Sequence, residues 1–219
     1  MKPRPLVAPG TDQLQAIEAY YARHAAVYDV TRHYLFGRKA LVDTLLRRGR
    51  LGSVLEIGCG TGTNLARLAA RSPGSELVGL DTSRAMLARA QAKLEPWRDR
   101  VRLVHGRFGE SNEDLGQFDV VLLSYSLSMM NPPLPIVSGA VARVAPGGAI
   151  AVVDYDYTPI RRYARFMAAR KVEMRRHLRP LLRQHVAVVE HDATHRALLG
   201  AWEYFTFIGR IESKAPRPG

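Results

Sequence analysis

The sequence predicts one α/β domain built on a doubly wound, mostly parallel seven-stranded sheet, with an antiparallel C-terminal strand and an N-terminal helical lid. Short apolar runs alternate with segments of helical periodicity, glycines cluster directly after the first run, and two apolar runs follow each other near the C-terminus. A repeated strand–helix–strand order joins parallel strands through crossover helices. The 219 residues fit a single domain with its own core.

The elements follow in chain order. A helix over residues 12–28 is capped by Thr11 or Asp12, and the helix over 134–144 stops at Ala145-Pro146-Gly147-Gly148. The predicted strands cover residues 53–57, 76–80, 101–104, 118–124, 149–153, 186–190 and 204–208. The other predicted helices cover residues 63–71, 83–94 and 160–178.

The chain divides into five predicted segments. Proline, glycine and basic residues at both ends predict loose tails. The segments are the tail 1–10, the lid 11–50, the ligand-binding core 51–157, the basic helix with terminal hairpin 158–212, and the tail 213–219.

Composition and charge indicate the cellular location of the protein more than its function. The 32 Lys and Arg exceed the 20 Asp and Glu, which gives a net charge of +12 and attracts any polyanion without selecting one. The alternative is that the excess of basic residues serves only to keep the protein soluble. Cys59 is the only cysteine, so a reducing compartment is expected, and no apolar run reaches the roughly 18 residues of a membrane span. We therefore expect a cytoplasmic protein, with peripheral contact to the inner membrane surface as a further hypothesis.

The strongest motif follows the first strand. Gly58, Gly60 and Gly62 form a G-x-G-x-G turn, with Glu56 two residues before the first glycine. This carboxylate would repel a pyrophosphate, but it suits a ligand that carries ammonium and sulfonium groups. Asp81 ends the second strand, where a carboxylate can bind both hydroxyls of a ribose. A dinucleotide site, whose fingerprint is G-x-G-x-x-G, and a purely structural glycine turn are the alternatives.

From residue 53 to residue 157 this combination resembles the class I S-adenosylmethionine-dependent methyltransferases, which are Rossmann-like. The resemblance implies S-adenosyl-L-methionine as cofactor and no metal. It also implies that Glu56 anchors the turn, that Asp81 binds ribose and that Ser124 and Tyr125 line the methyl-transfer face. The implied cofactor-binding residues are Tyr28, Glu56, Gly58, Gly60, Asn64, Asp81, Thr82, Met86, Arg107, Phe108 and Ser124.

One segment departs from that family. Gly106-Arg107-Phe108 stands where such enzymes often have Gly-Asp-Ala, whose aspartate contacts the adenine amine. Because arginine cannot accept a hydrogen bond, we expect backbone groups around Arg107 and Phe108 to take this role. Asn131-Pro132-Pro133-Leu134 resembles the box of nucleic-acid amino-methyltransferases only superficially, since it begins seven residues after Ser124 and lacks the aromatic residue. We interpret it as a loop that leads into the next helix.

Three short segments of the sequence indicate a class of substrate. The chain has Tyr20-Tyr21, His24 and Tyr28-Asp29 near its start, Ser124-Tyr125-Ser126-Leu127-Ser128-Met129 in the middle and Phe207-Ile208-Gly209-Arg210 near its end. Together they are similar to the diacylglyceryl-homoserine N-methyltransferases of betaine-lipid synthesis. This resemblance implies N-methylation of a lipid head group. Phosphatidylethanolamine and a small-molecule amine of specialised metabolism are the alternative acceptors, an inactive cofactor-binding module is a different class, and a nucleic-acid substrate is disfavoured.

The candidate catalytic residues are Tyr21, His24, Tyr28 and Tyr125. Aromatic faces attract a methylated ammonium group by cation–π interaction, and a histidine accepts a proton near neutral pH. Packing of the lid is the alternative role for each tyrosine and a surface hydrogen bond for His24. Asp154, Tyr155 and Asp156 follow the fifth strand, so one of them is expected to reach the head group.

Residues 160–183 contain nine Lys or Arg and one acid, Glu173. Apolar residues recur at three- and four-residue spacing, as in an amphipathic helix. The segment therefore predicts either a helix that lies on an anionic bilayer or one that packs on the sheet with a solvated arginine face.

Overall fold

The computed structural model describes residues 36–49, 51–109 and 115–212. The predicted helix 12–28, with Tyr20, Tyr21, His24 and Tyr28, lies outside the described residues, as do both predicted tails. Of the predicted lid, the part from Phe36 to Gly49 is described.

Helices and strands alternate through the described chain. The helices are α1 (Arg38–Arg47), α2 (Thr63–Arg71), α3 (Arg84–Leu94), α4 (Pro133–Ala142), α5 (Arg161–Ala168) and α6 (Leu178–Arg183). The strands are β1 (Ser53–Ile57), β2 (Glu76–Asp81), β3 (Val101–His105), β4 (Phe118–Ser124), β5 (Val144–Tyr157), β6 (Val188–Ala197) and β7 (Trp202–Arg210). Short 3-10 helices cover Glu95–Arg100, Leu127–Met129 and Leu198–Gly200.

The seven strands form one sheet in the order β3-β2-β1-β4-β5-β7-β6. The five strands β1 to β5 pair with their neighbours in parallel, whereas β7 is antiparallel to both β5 and β6. The strand order reverses between β1 and β4, where Ile57 pairs with Leu80 on one side and Leu123 on the other. Ligands of open α/β sheets bind outside the carboxyl ends of the strands at such a switch point. The predicted fold is confirmed.

Apolar side chains cover both faces of the sheet. One buried cluster joins strand residues such as Leu55 to Val137 of α4 and Leu182 of α6. The second joins the opposite face to α1, α2 and α3 through Leu45, Leu65 and other residues. Strands buried on both faces explain why the central runs of the sequence are continuously apolar.

The predicted boundaries fail near the C-terminus. The fifth strand was expected over residues 149–153 but runs from Val144 to Tyr157, so the Ala-Pro-Gly-Gly segment lies inside it. A register shift between Phe118 and Val120 accommodates this segment beside β4. The sixth strand was expected over residues 186–190 and is instead β6, Val188–Ala197.

The predicted continuous basic helix over residues 160–178 is wrong. Helix α5 ends at Ala168, and Lys171 and Arg176 have φ angles of +64° and +56°, which a helix does not contain. Met167 and Met174 instead pack in a small cluster around Trp202. Burying these side chains against β7 favours a folded-back loop over a straight helix. Among the described residues, no helix combines the length and apolar character needed to cross a membrane.

Candidate functional site

The glycine turn lies at the carboxyl end of β1, and its backbone needs residues without a Cβ atom. Gly58, Gly60 and Gly62 have φ angles of +75°, +55° and +71°, in the left-handed region that favours glycine. A Cβ atom on Gly58 would lie 2.6 Å from the Cβ atom of Ser126. The turn therefore packs tightly against the segment that follows β4.

Two carboxylates from neighbouring strands hold this turn. Asn64 Nδ2, in the first turn of α2, donates a hydrogen bond of 2.7 Å to Glu56 Oε1, and both side chains are buried. Asp81 accepts from the backbone N–H of Gly60 through Oδ2 at 2.8 Å and from that of Ser83 through Oδ1 at 2.9 Å. The arrangement places negative charge on both sides of a glycine cradle.

Four other predicted cofactor residues lie along the edge towards β3. Met86 is buried in the first turn of α3, where its N–H donates to the capping Ser83 Oγ at 3.3 Å. Thr82 and Arg107 are half-buried. Phe108 is buried and its ring lies so close to Gly139 of α4 that a Cβ atom there would approach it to 3.2 Å. The Phe108 side chain thus packs in the core.

The residues after β4 connect the site to the start of α1. Arg38 Nε donates a hydrogen bond of 3.1 Å to Ser124 Oγ, and Tyr125 OH donates one of 2.8 Å to the backbone oxygen of Phe36. Ser126 Oγ donates to the backbone oxygen of Ile57 at 2.8 Å. Burial raises the pKa of the Tyr125 hydroxyl well above its usual range, so Tyr125 stays a neutral donor.

Asp154 is a fully buried carboxylate in β5 that the sequence did not distinguish from its neighbours. Its Oδ2 accepts from the N–H of Ser128 at 2.9 Å, and its Oδ1 from the N–H of Tyr155 at 2.8 Å. Burial raises the pKa of Asp154 from its ordinary value of 3.8 to about 6, although these hydrogen bonds oppose the rise. Asp154 fixes the 3-10 helix Leu127–Met129 beside the glycine turn.

The buried Asp154 predicts a pH-dependent stability. The native state binds the proton more tightly than the unfolded chain, so this group stabilises the fold fully below about pH 4, and the stabilisation is lost as pH rises to 6. The shift corresponds to about 3 kcal/mol. In Asp154→Asn this pH dependence is absent. We expect the stability advantage of the wild type over Asp154→Asn, measured by urea unfolding, to be larger at pH 4.5 than at pH 7. An advantage that does not change with pH would contradict the raised pKa.

Asp154 and Asp156 point away from Tyr155, since side chains alternate along a strand. Asp156 is buried, and its Oδ2 lies 3.4 Å from Arg179 Nη1 of α6. Burial raises the pKa of Asp156, and the charge of Arg179 opposes this rise. Of the three residues predicted to reach a head group, Tyr155 is the one on the same face as Tyr125.

Six aromatic rings form a connected set on this face, beginning with Tyr125 directly after β4. Tyr125 and Tyr155 contact edge to face at 4.8 Å, and Tyr155 is the cross-strand partner of Tyr204. Phe36 lies 6.3 Å from both Tyr204 and Trp202, whose ring stacks on Tyr163 at 5.7 Å. We call this set the aromatic wall. It consists of Phe36, Tyr125, Tyr155, Tyr163, Trp202 and Tyr204.

Most of the aromatic wall was missed by the sequence analysis. Tyr163, Trp202 and Tyr204 come from α5 and β7, elements that lie far from the glycine motif in the chain. An antiparallel β5–β7 register would have paired Tyr155 with Tyr204, but the predicted strand 149–153 ended before Tyr155. Ser126, which contacts Gly58, was also not singled out as a site residue.

Comparisons with known proteins find similarity in the central part of the chain. Residues 55–150 match a family model described as a methyltransferase domain. The chain is 34% identical over 111 residues to trans-aconitate 2-methyltransferase of Deinococcus radiodurans, which covers 51% of this chain and 41% of that enzyme. It is 28% identical over 146 residues to demethylmenaquinone methyltransferase of Lactococcus lactis, which covers 65% of this chain and 56% of that enzyme. The chain thus spans about half the length of these curated relatives.

A solved structure shares the whole architecture. The 1,6-didemethyltoxoflavin-N1-methyltransferase of Burkholderia thailandensis, with bound 1,6-didemethyltoxoflavin and S-adenosylhomocysteine, superposes with a TM-score of 0.73 at 16% identity. The alignment covers 97% of this chain and 94% of that one, and it supports the fold. The match of residues 55–150 to a methyltransferase-domain model, the common fold and the glycine turn between two carboxylates agree with the methyltransferase that the sequence predicted.

Proposed function

We propose that this chain is an S-adenosylmethionine-dependent N-methyltransferase that methylates the amine of a lipid head group, with diacylglyceryl homoserine as the first candidate acceptor. The observation that carries the proposal is the aromatic wall next to the glycine turn. Its partly exposed rings, Phe36, Tyr155, Tyr163 and Tyr204, can contact an amine whose positive charge becomes permanent with the third methyl group. Cation–π attraction of this kind is worth about 0.5–2 kcal/mol, depending on desolvation.

The residues around the glycine turn fit the cofactor. S-adenosylmethionine has ammonium and sulfonium charges and a ribose, and the turn lies between the carboxylates of Glu56 and Asp81. Asp81 accepts hydrogen bonds from the N–H groups of Gly60 and Ser83, so its carboxylate lies at the turn to which we assign the ribose. We assign cofactor binding to Tyr28, Glu56, Gly58, Gly60, Asn64, Asp81, Thr82, Met86, Arg107, Phe108 and Ser124.

The chain acts mainly by positioning the acceptor. S-adenosylmethionine supplies an electrophilic methyl group when bound. The amine must be neutral and in line with the carbon–sulfur bond. When the protein holds it there, most of the entropy cost of bringing the two reactants together is met by binding. Tyr125 contributes its ring rather than a proton acceptor, because its hydroxyl is held by the Phe36 oxygen. We assign proton acceptance to His24 and contact with the amine to Tyr21 and Tyr28, three residues that lie outside the described part of the chain.

A lipid acceptor is supported by the resemblance of three segments. Residues 124–129 begin at the last residue of β4 and include Tyr125 of the aromatic wall, whereas residues 207–210 form the end of β7 and pair with residues 149–152 of β5, away from the wall. The curated relatives act on acceptors as different as trans-aconitate and demethylmenaquinone, so they favour no acceptor for this chain. We place the enzyme in the cytoplasm, in contact with the inner membrane surface where its acceptor resides, with residues 11–50 as a lid.

The test is methyl transfer to defined amines. The protein is incubated with labelled S-adenosylmethionine and vesicles that contain diacylglyceryl homoserine, phosphatidylethanolamine or neither, and lipids are analysed by mass spectrometry. Diacylglyceryl homoserine with one, two and three added methyl groups is expected. Product from phosphatidylethanolamine alone would overturn the choice of lipid. Transfer to water-soluble amines alone would overturn the lipid acceptor, and cofactor binding without any transfer would overturn the activity.

A further inference from the structure

Exposed apolar side chains come together at one end of the sheet. Leu198 and Leu199, in the turn between β6 and β7, are 56% and 110% exposed. Ile160 and Phe166, just before and within α5, are 46% and 49% exposed. We call these four residues the apolar tip. Large aliphatic side chains that protrude singly are ordinary, but four around one buried cluster form a patch.

The two halves of the apolar tip are joined by direct contacts. Thr158 Oγ1 donates a hydrogen bond of 2.7 Å to the backbone oxygen of Ala201, and it accepts one of 3.2 Å from the N–H of Ile160. Tyr163 of α5 stacks on Trp202 at the start of β7. Helix α5 and the β6–β7 turn therefore lie side by side, and the aromatic wall begins directly beneath them.

The backbone of the turn is unfavourable for leucine. Leu198 and Leu199 have φ angles of +45° and +57°, a region in which glycine and asparagine cost less than leucine. The Leu199 side chain is fully exposed, so it adds no buried area within the described chain. A bulky apolar residue in this position gains nothing from the fold itself, and an external apolar phase would supply the missing burial.

Positive charge surrounds the apolar tip. Five exposed basic side chains of the α5 segment form what we call the basic belt: Arg161, Arg162, Arg165, Arg170 and Lys171. None of the five is in an ion pair with another described residue. The nearby Glu203 lies instead close to Arg176, at 2.6 Å, and Arg196, at 3.7 Å. Arg170 lies over the Phe166 ring at 3.5 Å, so the belt and the apolar tip are in contact there. Within the described part of the chain, no carboxylate compensates the charge of the belt, which suits an anionic partner.

We propose that the apolar tip and the basic belt dock this protein on an anionic lipid bilayer. Leu198 and Leu199 enter the boundary between head groups and acyl chains, and the belt contacts anionic head groups. A single-stranded nucleic acid would match the charge but not the leucines, since bases stack on aromatic rings. The inference deepens the proposed function and rests on it for the acceptor, because docking here turns the aromatic wall towards the lipid surface.

The first experiment measures binding to vesicles in the absence of cofactor. We expect sedimentation with phosphatidylcholine vesicles that contain phosphatidylglycerol, little with phosphatidylcholine alone, and weaker binding as salt is raised. The triple variant Arg161→Glu/Arg162→Glu/Arg165→Glu should lower the partition coefficient at least about tenfold. The control Arg89→Glu/Arg98→Glu/Arg102→Glu makes the same charge change near β3, at the opposite edge of the sheet, and should bind nearly as the wild type does. Because Arg98 pairs with Glu95, the melting temperature of both triple variants is measured as well.

The second experiment tests the leucines. Leu198→Asn/Leu199→Gly should weaken vesicle binding several-fold, whereas its melting temperature should equal or exceed that of the wild type because both new residues suit a positive φ. Unchanged binding of this variant, an equal loss in the control triple variant, or wild-type binding to RNA but not to vesicles would each overturn the docking surface. Vesicle binding without lipid methylation would overturn the proposed function alone. Methylation of detergent-solubilised lipid without vesicle binding would overturn the docking surface alone.

Discussion

Replacing Asp81 with alanine is expected to weaken the binding of S-adenosylhomocysteine by about 100-fold or more, because two hydrogen bonds from ribose to a carboxylate are worth about 1.5–3 kcal/mol each. The same change removes the acceptor for the N–H groups of Gly60 and Ser83, so the glycine turn also loses its anchor on β2. Isothermal titration calorimetry measures the affinity, and circular dichroism checks that the sheet remains.

Two variants make this result interpretable. Asp99→Ala removes a carboxylate whose side chain is 98% exposed, and it should bind the ligand as the wild type does. Asp81→Asn keeps an acceptor oxygen but loses the charge, and it should fall between alanine and the wild type. If Asp81→Ala retained its affinity, the ribose assignment would be wrong.

The Gly58→Ala variant should lose stability and bind S-adenosylhomocysteine more than about tenfold more weakly. A left-handed alanine costs about 1–2 kcal/mol and overpacking against Ser126 about 1–3 kcal/mol. Part of this cost is relieved when the turn moves away from Ser126, and that movement distorts the cradle. Thermal unfolding and calorimetry together separate the two effects.

The two causes can be separated by partner variants. Gly49 has a φ angle of +109° with no atom within 4 Å of an added Cβ, so Gly49→Ala has the backbone cost without a clash and should leave ligand affinity unchanged. Adding Ser126→Gly to Gly58→Ala removes the clash and should restore part of the affinity lost. Strict additivity of the two substitutions would show that Gly58 and Ser126 do not interact.

The sequence predicted the first half of the sheet closely because the information there is local. Strands β1 and β4 begin and end at the predicted residues, since each is a short apolar run bounded by polar or turn residues. The prediction errors begin where contacts between distant parts of the chain determine the local structure. Residues 169–177 have the composition of a helix, but Met174 gains burial against Trp202, which no local pattern encodes.

The candidate site also contains residues that local sequence patterns predict and residues that they do not. Glu56, the glycines and Asp81 lie within one strand–turn–helix unit and the following strand, so spacing alone brings them together. The aromatic wall combines residues from Phe36 to Tyr204, and its assembly depends on the register between β5 and β7. Asp154 and Asp156 look equivalent to Tyr155 in the sequence, and the alternation of side chains along a strand nearly three times as long as predicted separates them.

The position of β7 has a consequence for biosynthesis. This strand is the last described one in the chain, yet it lies between β5 and β6 inside the sheet. While the ribosome is still making residues 202–210, the outer edge of β5 has no strand beside it, and β6 has no neighbour to pair with. An open strand edge of this kind is a site for aggregation. The nascent protein therefore passes through a vulnerable stage in which the glycine turn can already form, while the aromatic wall is completed only when β7 inserts.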